Sequence, residues 1–422
     1  MPRNYDPALH PLEVPREYTR ALNSTKLERV FAKPFIGSLD GHKDGVHCLY
    51  KHPLQLNMLL SGSCDGEIKI WNLTTRKCEQ TYTAHDGFVR GLCMNPAATM
   101  FYSCGNDKLV KYWRYDLETS TSQLEPVQTI IGKTFYTGID HHWKKALFAT
   151  SGERVDIWDE THLEPIKSYT WGVDSHYAVR FNPIEQTLLA SCAADRSIIL
   201  YDTRQSVPLR KVVLAMSSNA VCWNPLEAMV FTVANEDHNL YTFDLRKLAE
   251  PRQVHMDHTA AVMSLDYAPT GKEFCSASYD KTIRLFDVRS GRSREVYHTK
   301  RMQHVMAIKW SLDNKYILSG SDEMNIRIWK ASASEKLGLT RPREREQAEY
   351  ASKLKEKFKN FPEIKRIMRH RHLPKTVYNA QKEKRIMKSS RQRKEANKRA
   401  HSKPGTIPFV SEKKKNIVKE DE

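Results

Sequence analysis

The chain has 422 residues, 40% of them hydrophobic, and a formal net charge of +17, so it can bury a large core and is basic enough to favour acidic partners. No run of about 18 apolar residues occurs, so no membrane-spanning helix is expected, and the first twenty residues carry three Arg and no apolar stretch, unlike a secretory signal. The charge is uneven: residues 331–422 hold 27 Lys+Arg and 12 Asp+Glu, a net of +15, which leaves the first 330 residues at +2. Cys48, Cys64, Cys78, Cys93, Cys104, Cys192, Cys222 and Cys275 form no CxxC pair and read as reduced thiols rather than disulfides or zinc ligands.

In chain order, residues 1–28 are polar, with Pro2, Pro7, Pro11 and Pro15, and are expected to run as an extended arm. Arg29–Leu39, RVFAKPFIGSL, is strand-like, and its Pro34 is tolerable on an outer edge strand. From Gly41 begins GHKDGVHCLYKHPLQLNMLLSGSCDGEIKIWNL, two short apolar segments, an Asp65-Gly66 turn, and a strand in which Ile68 and Ile70 alternate with Glu67 and Lys69. Its terminal aromatic recurs as Trp71, Trp113, Trp158, Tyr201, Phe243, Phe286 and Trp329, at intervals of 42, 45, 43, 42, 43 and 43 residues. A period in the low forties with four short strands per unit predicts an all-β, seven-bladed WD-repeat β-propeller over residues 29–332, its last blade closed by the strand before Gly41. The Ser/Thr/Glu-rich LETSTSQLEP after the second copy reads as an exposed loop.

In this repeat class a His, a Ser or Thr, an Asp and the terminal Trp are expected to form a buried tetrad, which is tolerable only when its polar groups satisfy one another. His42, Ser61, Asp65 and Trp71 fill all four places, as do His85, Ser103, Asp107 and Trp113. Later copies are partial: His258, Ser276 and Asp280 end on Phe286, and the seventh reads His304, Ser319, Glu323 and Trp329. The fourth and fifth keep Asp195 and Asp237 without a matching Gly-His, and the third is the most degenerate. The adjacent His141 and His142 suggest a metal, but no third ligand is placed by the sequence and loop histidines are the commoner explanation. No metal or cofactor is expected.

Beyond Ser332 the pattern turns helical. Tyr350, Leu354, Phe358 and Phe361 share one helical face; Asn360-Phe361-Pro362-Glu363 resembles a capping box opening a second helix that ends near Leu373; residues from Thr376 to about Ala400 are helix-permissive but poor in apolar anchors. Residues 333–404 are therefore expected as a basic helical domain, whose last part orders on binding, and 405–422 as a disordered tail.

Seven WD repeats preceded by KLERVFAKPFIGSLDGHKDGV and followed by RPREREQAEYASKLKEKFKNFPEIKRIMRHRHLPKTVYNAQKEKRIMKSSRQRKEANKRAHSKPG closely resemble the suppressor-of-fibrillarin-like family over nearly the whole chain. The resemblance implies a component of the nucleolar small-subunit processome, the particle around U3 small nucleolar RNA and the 18S ribosomal RNA precursor, with other processome proteins as partners. The residues themselves are compatible: Lys382, Lys384, Arg385, Lys388, Arg391, Arg393, Lys394, Lys398 and Arg399 are candidate contacts to pre-rRNA or U3 RNA phosphates. A solvated basic helix and a nuclear import signal are the alternative readings.

A second function comes from YDTR (201–204), FDLR (243–246) and FDVR (286–289). Such endings resemble the motif by which WD-repeat substrate receptors dock to the adaptor of cullin-RING ubiquitin ligases, with Arg204, Arg246 and Arg289 reaching the partner. An enzyme is not expected: P-loop, GxGxxG, HExxH and GxSxG are all missing, and the recurring Asp residues lie one per blade and cannot converge. No small-molecule substrate and no membrane partner are expected.

Overall fold

The structure, a computed structural model, describes residues 6–115, 125–171 and 175–421. The chain falls into two compact units, residues 1–36 with 330–372 and residues 37–329 with 373–422.

The larger unit is the propeller. Seven antiparallel sheets follow one another, each built from an inner strand outward; the first uses Val46–Lys51, Met58–Ser63, Glu67–Asn72 and Lys77–Thr83. The repeat's aromatic therefore ends the third strand, and a more polar outer strand follows it. The seventh sheet is completed by Phe35–Asp40 beside Asn325–Lys330, which closes the ring as the sequence implies; Pro34 falls just before this strand. Apolar cores lie between neighbouring blades: Ile70 of blade one meets Phe101 and Trp113 of blade two, and Leu200 of blade four meets Trp223 and Phe231 of blade five. A blade is thus buried on both faces, which explains the near-continuous burial of second and third strands such as Met58–Ser63.

Charged side chains on the inner strands tie blades together. Asp140 of blade three accepts from Arg180 at 2.9 Å and from the Phe181 amide at 2.8 Å in blade four. Asp266 of blade six accepts from the Trp310 amide of blade seven at 2.8 Å and from Lys51 of blade one at 3.3 Å. Burial alone would raise the Asp266 pKa, but Lys309 and Lys51 beside it hold it below the usual carboxylate range.

The recurring Asp residues have a plain structural task. Asp65, Asp107, Asp195, Asp237 and Asp280 each accept the backbone N–H two residues on, at 2.9–3.2 Å, and so hold the turn between second and third strands. The following residue adopts positive φ in each case, yet only blade one places a glycine there, Gly66 at φ +86°; Lys108, Arg196, His238 and Lys281 adopt φ between 63° and 73°. A Cβ on Gly66 would come within 1.9 Å of the His85 carbonyl oxygen, so glycine is required at that position by close approach as well as by φ.

The C-terminal end departs from expectation. Residues 405–422 were expected to be disordered, but Ile417–Asp421 forms a fifth strand on blade four, antiparallel to Arg210–Leu214, with Ile417 packed against the blade-four and blade-five core. The β-branched pair Ile417-Val418 in an otherwise charged stretch was the available signal. Asn416 donates to Asp237 at 3.0 Å in blade five and also bonds the Tyr241 hydroxyl. The tail thus supplies Asp237 with a donor that a histidine supplies to the equivalent aspartates of blades two and six.

In the smaller unit the N-terminal stretch is not an extended arm. Residues Glu13–Val30 form a helix, α1, because Tyr18, Ala21, Leu22 and Thr25 recur on one face, while Pro15 lies in the first turn, where its missing N–H costs nothing. α1 packs on α2 (Pro342–Lys357) and α3 (Pro362–Arg369) around Ala21, Leu354, Phe358 and Ile364. Tyr18 lies 5.8 Å from Phe358 and 5.3 Å from Phe361, ring to ring, and its hydroxyl donates to Glu363 at 2.7 Å. Glu363 is thereby drawn away from the expected capping box, and α3 starts at Pro362, with Phe361 in the N-cap place and no side-chain cap. α3 also ends at Arg369, short of Leu373. Ion pairs Lys355–Glu28 and Lys357–Glu17, at 2.7 and 2.6 Å, join the same helices. Phe358→Ala is expected to cost this unit about 3–5 kcal/mol; hydrogen exchange on the full chain should show faster exchange across residues 342–369 with propeller amides unchanged.

Candidate functional site

The tetrads set how rigidly the blades present their surfaces. Blade two is complete: His85 Nδ1 bonds Asp107 at 2.8 Å, Nε2 bonds Ser103 at 2.8 Å, and the Trp113 indole donates to Ser103 at 2.9 Å. In blade one His42 and Trp71 both reach Ser61, at 2.6 and 2.7 Å, but His42 Nδ1 is buried without a partner and Asp65 instead accepts the Lys43 amide at 3.3 Å. The expected four-membered set is therefore three-membered there. Blade six joins His258 to Asp280 at 2.9 Å and Ser276 at 2.7 Å. Blade seven keeps only Trp329 on Ser319, at 2.8 Å: Glu323 is bound by Arg327, and half-exposed His304 lies 3.5 Å from Asp322. His304 adjoins its strand directly instead of standing four residues ahead of it, which puts its ring outside the set.

Blade four contains a histidine in a Ser-His rather than a Gly-His pair. His176 Nδ1 bonds Ser191 at 3.1 Å and Ser191 meets the Tyr201 hydroxyl at 2.9 Å, so a phenol takes the place of the indole; Asp195 is bound by Lys211 at 2.5 Å. Blade three retains Trp158 on Thr150 at 2.8 Å.

Burial lowers His42, His176 and His255 from the ordinary imidazole range to about 4. Above about pH 6.5 these rings are neutral in both folded and unfolded chains. As pH falls from about 6.5 towards 4 the unfolded chain takes up protons that the folded chain refuses, so stability is lost across that window, by up to about 1.4 kcal/mol per pH unit for each ring. Denaturant midpoints should be flat from pH 8 to 7 and fall steadily from 6.5 to 4.5; a flat profile throughout would contradict this assignment.

His141 and His142 are both engaged within the protein. His142 Nδ1 accepts the amides of Lys144 and Lys145 at 3.0 and 2.9 Å, capping a turn, while His141 Nε2 meets Glu160 at 2.7 Å. His52 caps the corresponding turn of blade one through the amides of Leu54 and Gln55. Among the described residues the trio close enough to share an ion is His42, Asp65 and Glu67. Glu67 is already held by Lys43 at 2.6 Å and Lys69 at 3.0 Å, so two ammonium groups stand where a cation would bind.

The basic residues of the C-terminal segment lie on one helix, α4 (Lys375–Ala400), which is ordered against the propeller through Val377, Gln381, Lys384 and Lys388, a single stripe of the helix. Gln381 donates to the Asp257 carbonyl at 2.6 Å and Lys384 to the His258 carbonyl at 3.2 Å. Burial lowers the Lys384 pKa. Lys388 pairs with Glu412 at 3.3 Å, and Arg399 lies over the Phe409 ring at 4.8 Å. Lys384, Lys388 and Arg399 thus hold the helix and tail in place, whereas Lys382, Arg385, Arg391, Arg393, Lys394 and Lys398 are exposed. The tail completes the clamp, with Lys415 2.7 Å from Glu395 and Lys413 donating to the Arg252 carbonyl at 2.8 Å.

The three aromatic-Asp-x-Arg endings share one geometry. Asp202, Asp244 and Asp287 accept the amides of Arg204, Arg246 and Arg289 at 2.9, 3.1 and 3.0 Å. Each carboxylate is spent on the turn and forms no ion pair with its arginine, so three guanidinium groups project from consecutive blades, exposed. They follow the third strands and stand at one end of the ring, whereas the blade-to-blade connection at Asp257 and His258, which α4 contacts, belongs to the other.

This pairing of a propeller with a basic helical end has a counterpart in known sequences: a Sof1-like domain model matches residues 331–417, and a WD domain, G-beta repeat model matches 33–72, 76–114, 249–287 and 295–330. "DDB1- and CUL4-associated factor 13" is 63% identical in Homo sapiens and 62% in Xenopus tropicalis, each over 418 residues, 99% of this chain and 94% of the relative. "Protein SOF1" of Saccharomyces cerevisiae is 45% identical over 441 residues, 99% of this chain and 90% of its own length. The chain belongs to the Sof1 family. Members of this WD-repeat family are non-enzymatic, and so is this chain. The WD40 propeller domain of Doa1 matches with a TM-score of 0.61 at 15% identity, covering 70% of this chain and 96% of that one, which supports the fold alone. The repeats that the WD model leaves unmatched are blades three to five, where Tyr201, Thr150 and Asn416 take over roles that indole, Ser and His play elsewhere.

Proposed function

We propose that this Sof1-family protein is a scaffold of the nucleolar small-subunit processome, needed for 18S rRNA maturation, in which α4 contacts pre-rRNA or U3 RNA. The observation that carries the reading is the division of labour on α4: three of its nine candidate cations are engaged with the propeller or the C-terminal tail, and six are left exposed on a helix whose position is already set. A preordered cationic helix engages a phosphate backbone without first losing the entropy of folding. The 45% identity to yeast "Protein SOF1" along 99% of the chain supports the same assembly.

A second role, as a substrate receptor of a cullin-RING ligase, is favoured by the name of the animal relatives and by the unpaired Arg204, Arg246 and Arg289. The two roles use opposite ends of the ring and are compatible in one molecule.

The test is RNA crosslinking and sequencing in cells, comparing the full chain with a form carrying Gln at the six exposed α4 positions. Crosslinks to U3 or 18S precursor in the first form and their loss in the second are expected, with 18S maturation impaired. Particle association with no crosslinks from either form would make α4 a protein-binding element; no particle association at all would leave the ligase reading in first place.

A further inference from the structure

We propose that the cleft between blades four and five, at the end of the ring that carries Arg204 and Arg246, is a recognition pocket for a large apolar side chain of a partner polypeptide whose flanking residues are acidic. The cleft has a volume of about 300 Å³ and is lined by Leu200 and Leu209 of blade four and Trp223, Met229 and Leu245 of blade five. That is the low end of the roughly 300–1,000 Å³ of small-molecule pockets, and suits one or two bulky side chains.

Its chemistry selects among occupants. Arg210 is the one charged residue in the lining, and its guanidinium already donates to the Leu245 carbonyl at 3.4 Å. A nucleobase placed there would leave most of its polar edge without partners; an apolar side chain would not. Outside the cleft lie Val207 and Leu226, 65% and 64% exposed, on turns at the same end of the ring, so the apolar surface continues beyond the opening. Exposed apolar residues gathered around a cleft are a usual mark of a protein-binding site.

The charge around the cleft sets the partner's sign. Arg204 follows the strand that contributes Leu200, and Arg246 is the residue after Leu245. Both side chains are exposed, and the adjacent Asp202 and Asp244 are occupied by the turn amides. Glu227, on the neighbouring turn, is paired with Arg252 at 2.6 Å. An apolar anchor flanked by carboxylates would satisfy the cleft and both arginines together, with fork-to-fork geometry available at each guanidinium. The site goes beyond the processome reading and does not depend on it.

The test is selection of phage-displayed random 12-residue peptides on the purified full chain, followed by anisotropy measurements with the enriched peptides. Two variants probe the two halves of the site: Met229→Trp fills the cleft, and Arg204→Glu with Arg246→Glu reverses the rim while leaving the core untouched. The expected result is enrichment of peptides with a bulky apolar residue between Asp or Glu, each variant weakening them by about tenfold or more, with thermal unfolding of the rim variant unchanged. Enrichment of basic or uncharged peptides, binding that survives either variant, or no enrichment would overturn the proposal. A concentration-dependent dimer abolished by Met229→Trp would also overturn it, by making the occupant a second copy of the chain.

Discussion

His258→Ala lowers the unfolding free energy by about 3 kcal/mol, the cost of taking from a buried carboxylate the hydrogen bond of an imidazole whose pKa burial lowers. His258 is fully buried, with Asp280 at 2.9 Å and Ser276 at 2.7 Å, and the Asp280 side chain is only 1% exposed. Burial would raise the Asp280 pKa, but His258, then Arg284 and Thr282, hold it far below the ordinary value, so removing the imidazole takes away the largest of the groups that stabilise this buried carboxylate. Its remaining donors are the Thr282 amide at 3.0 Å and hydroxyl at 2.6 Å, both on Oδ1, and the Thr259 amide at a long 3.3 Å on Oδ2, the oxygen that loses the ring nitrogen; Phe286 also loses a packing neighbour 6.1 Å away. The control is His304→Ala in blade seven. That ring is 45% exposed and 3.5 Å from an exposed Asp322, so the change should stay within about 0.5 kcal/mol. Urea midpoints at constant slope read both; equal costs would mean that the two histidines do the same work, against the geometry.

Replacing Lys382, Arg385, Arg391, Arg393, Lys394 and Lys398 together by Gln reduces the salt dependence of RNA binding. For single strands the slope of log affinity against log salt changes by about 0.7 per neutralised phosphate, so six lost contacts lower it by about 4. Lys384→Gln should differ in kind. Its ammonium donates to the His258 carbonyl at 3.2 Å, so the slope changes little while hydrogen exchange along Lys375–Ala400 quickens. Fluorescence anisotropy with a mixed-sequence single-stranded RNA at several salt concentrations measures the first effect. An unchanged slope in the six-fold variant would remove α4 as the RNA contact.

The repeat count was legible because a propeller core is periodic: one aromatic every 42–45 residues marks the third strand of every blade, whatever the tetrad has become. The α2 stripe of Leu354 and Phe358 was legible for the same reason, since 3.6-residue spacing writes burial directly into the chain. Individual tetrads were less so. His42 and Asp65 stand 23 residues apart and His85 and Asp107 stand 22 apart, and only the second pair is bonded, a difference in side-chain placement that the shared residue types do not announce.

Periodicity and composition in this chain establish seven blades, a closing strand and a basic helical end, because each of these is local and repeats. Long-range pairing settled the rest. The helical state of Glu13–Val30 depends on an apolar surface supplied more than 300 residues later by Leu354 and Phe358; the order of Ile417–Asp421 depends on the open edge of Arg210–Leu214; and the division of the α4 cations into anchors and exposed groups depends on which stripe the carbonyls of Asp257 and His258 receive. None of these partners is marked in the segment it orders, since a weakly amphipathic stretch takes its structure from the surface it meets.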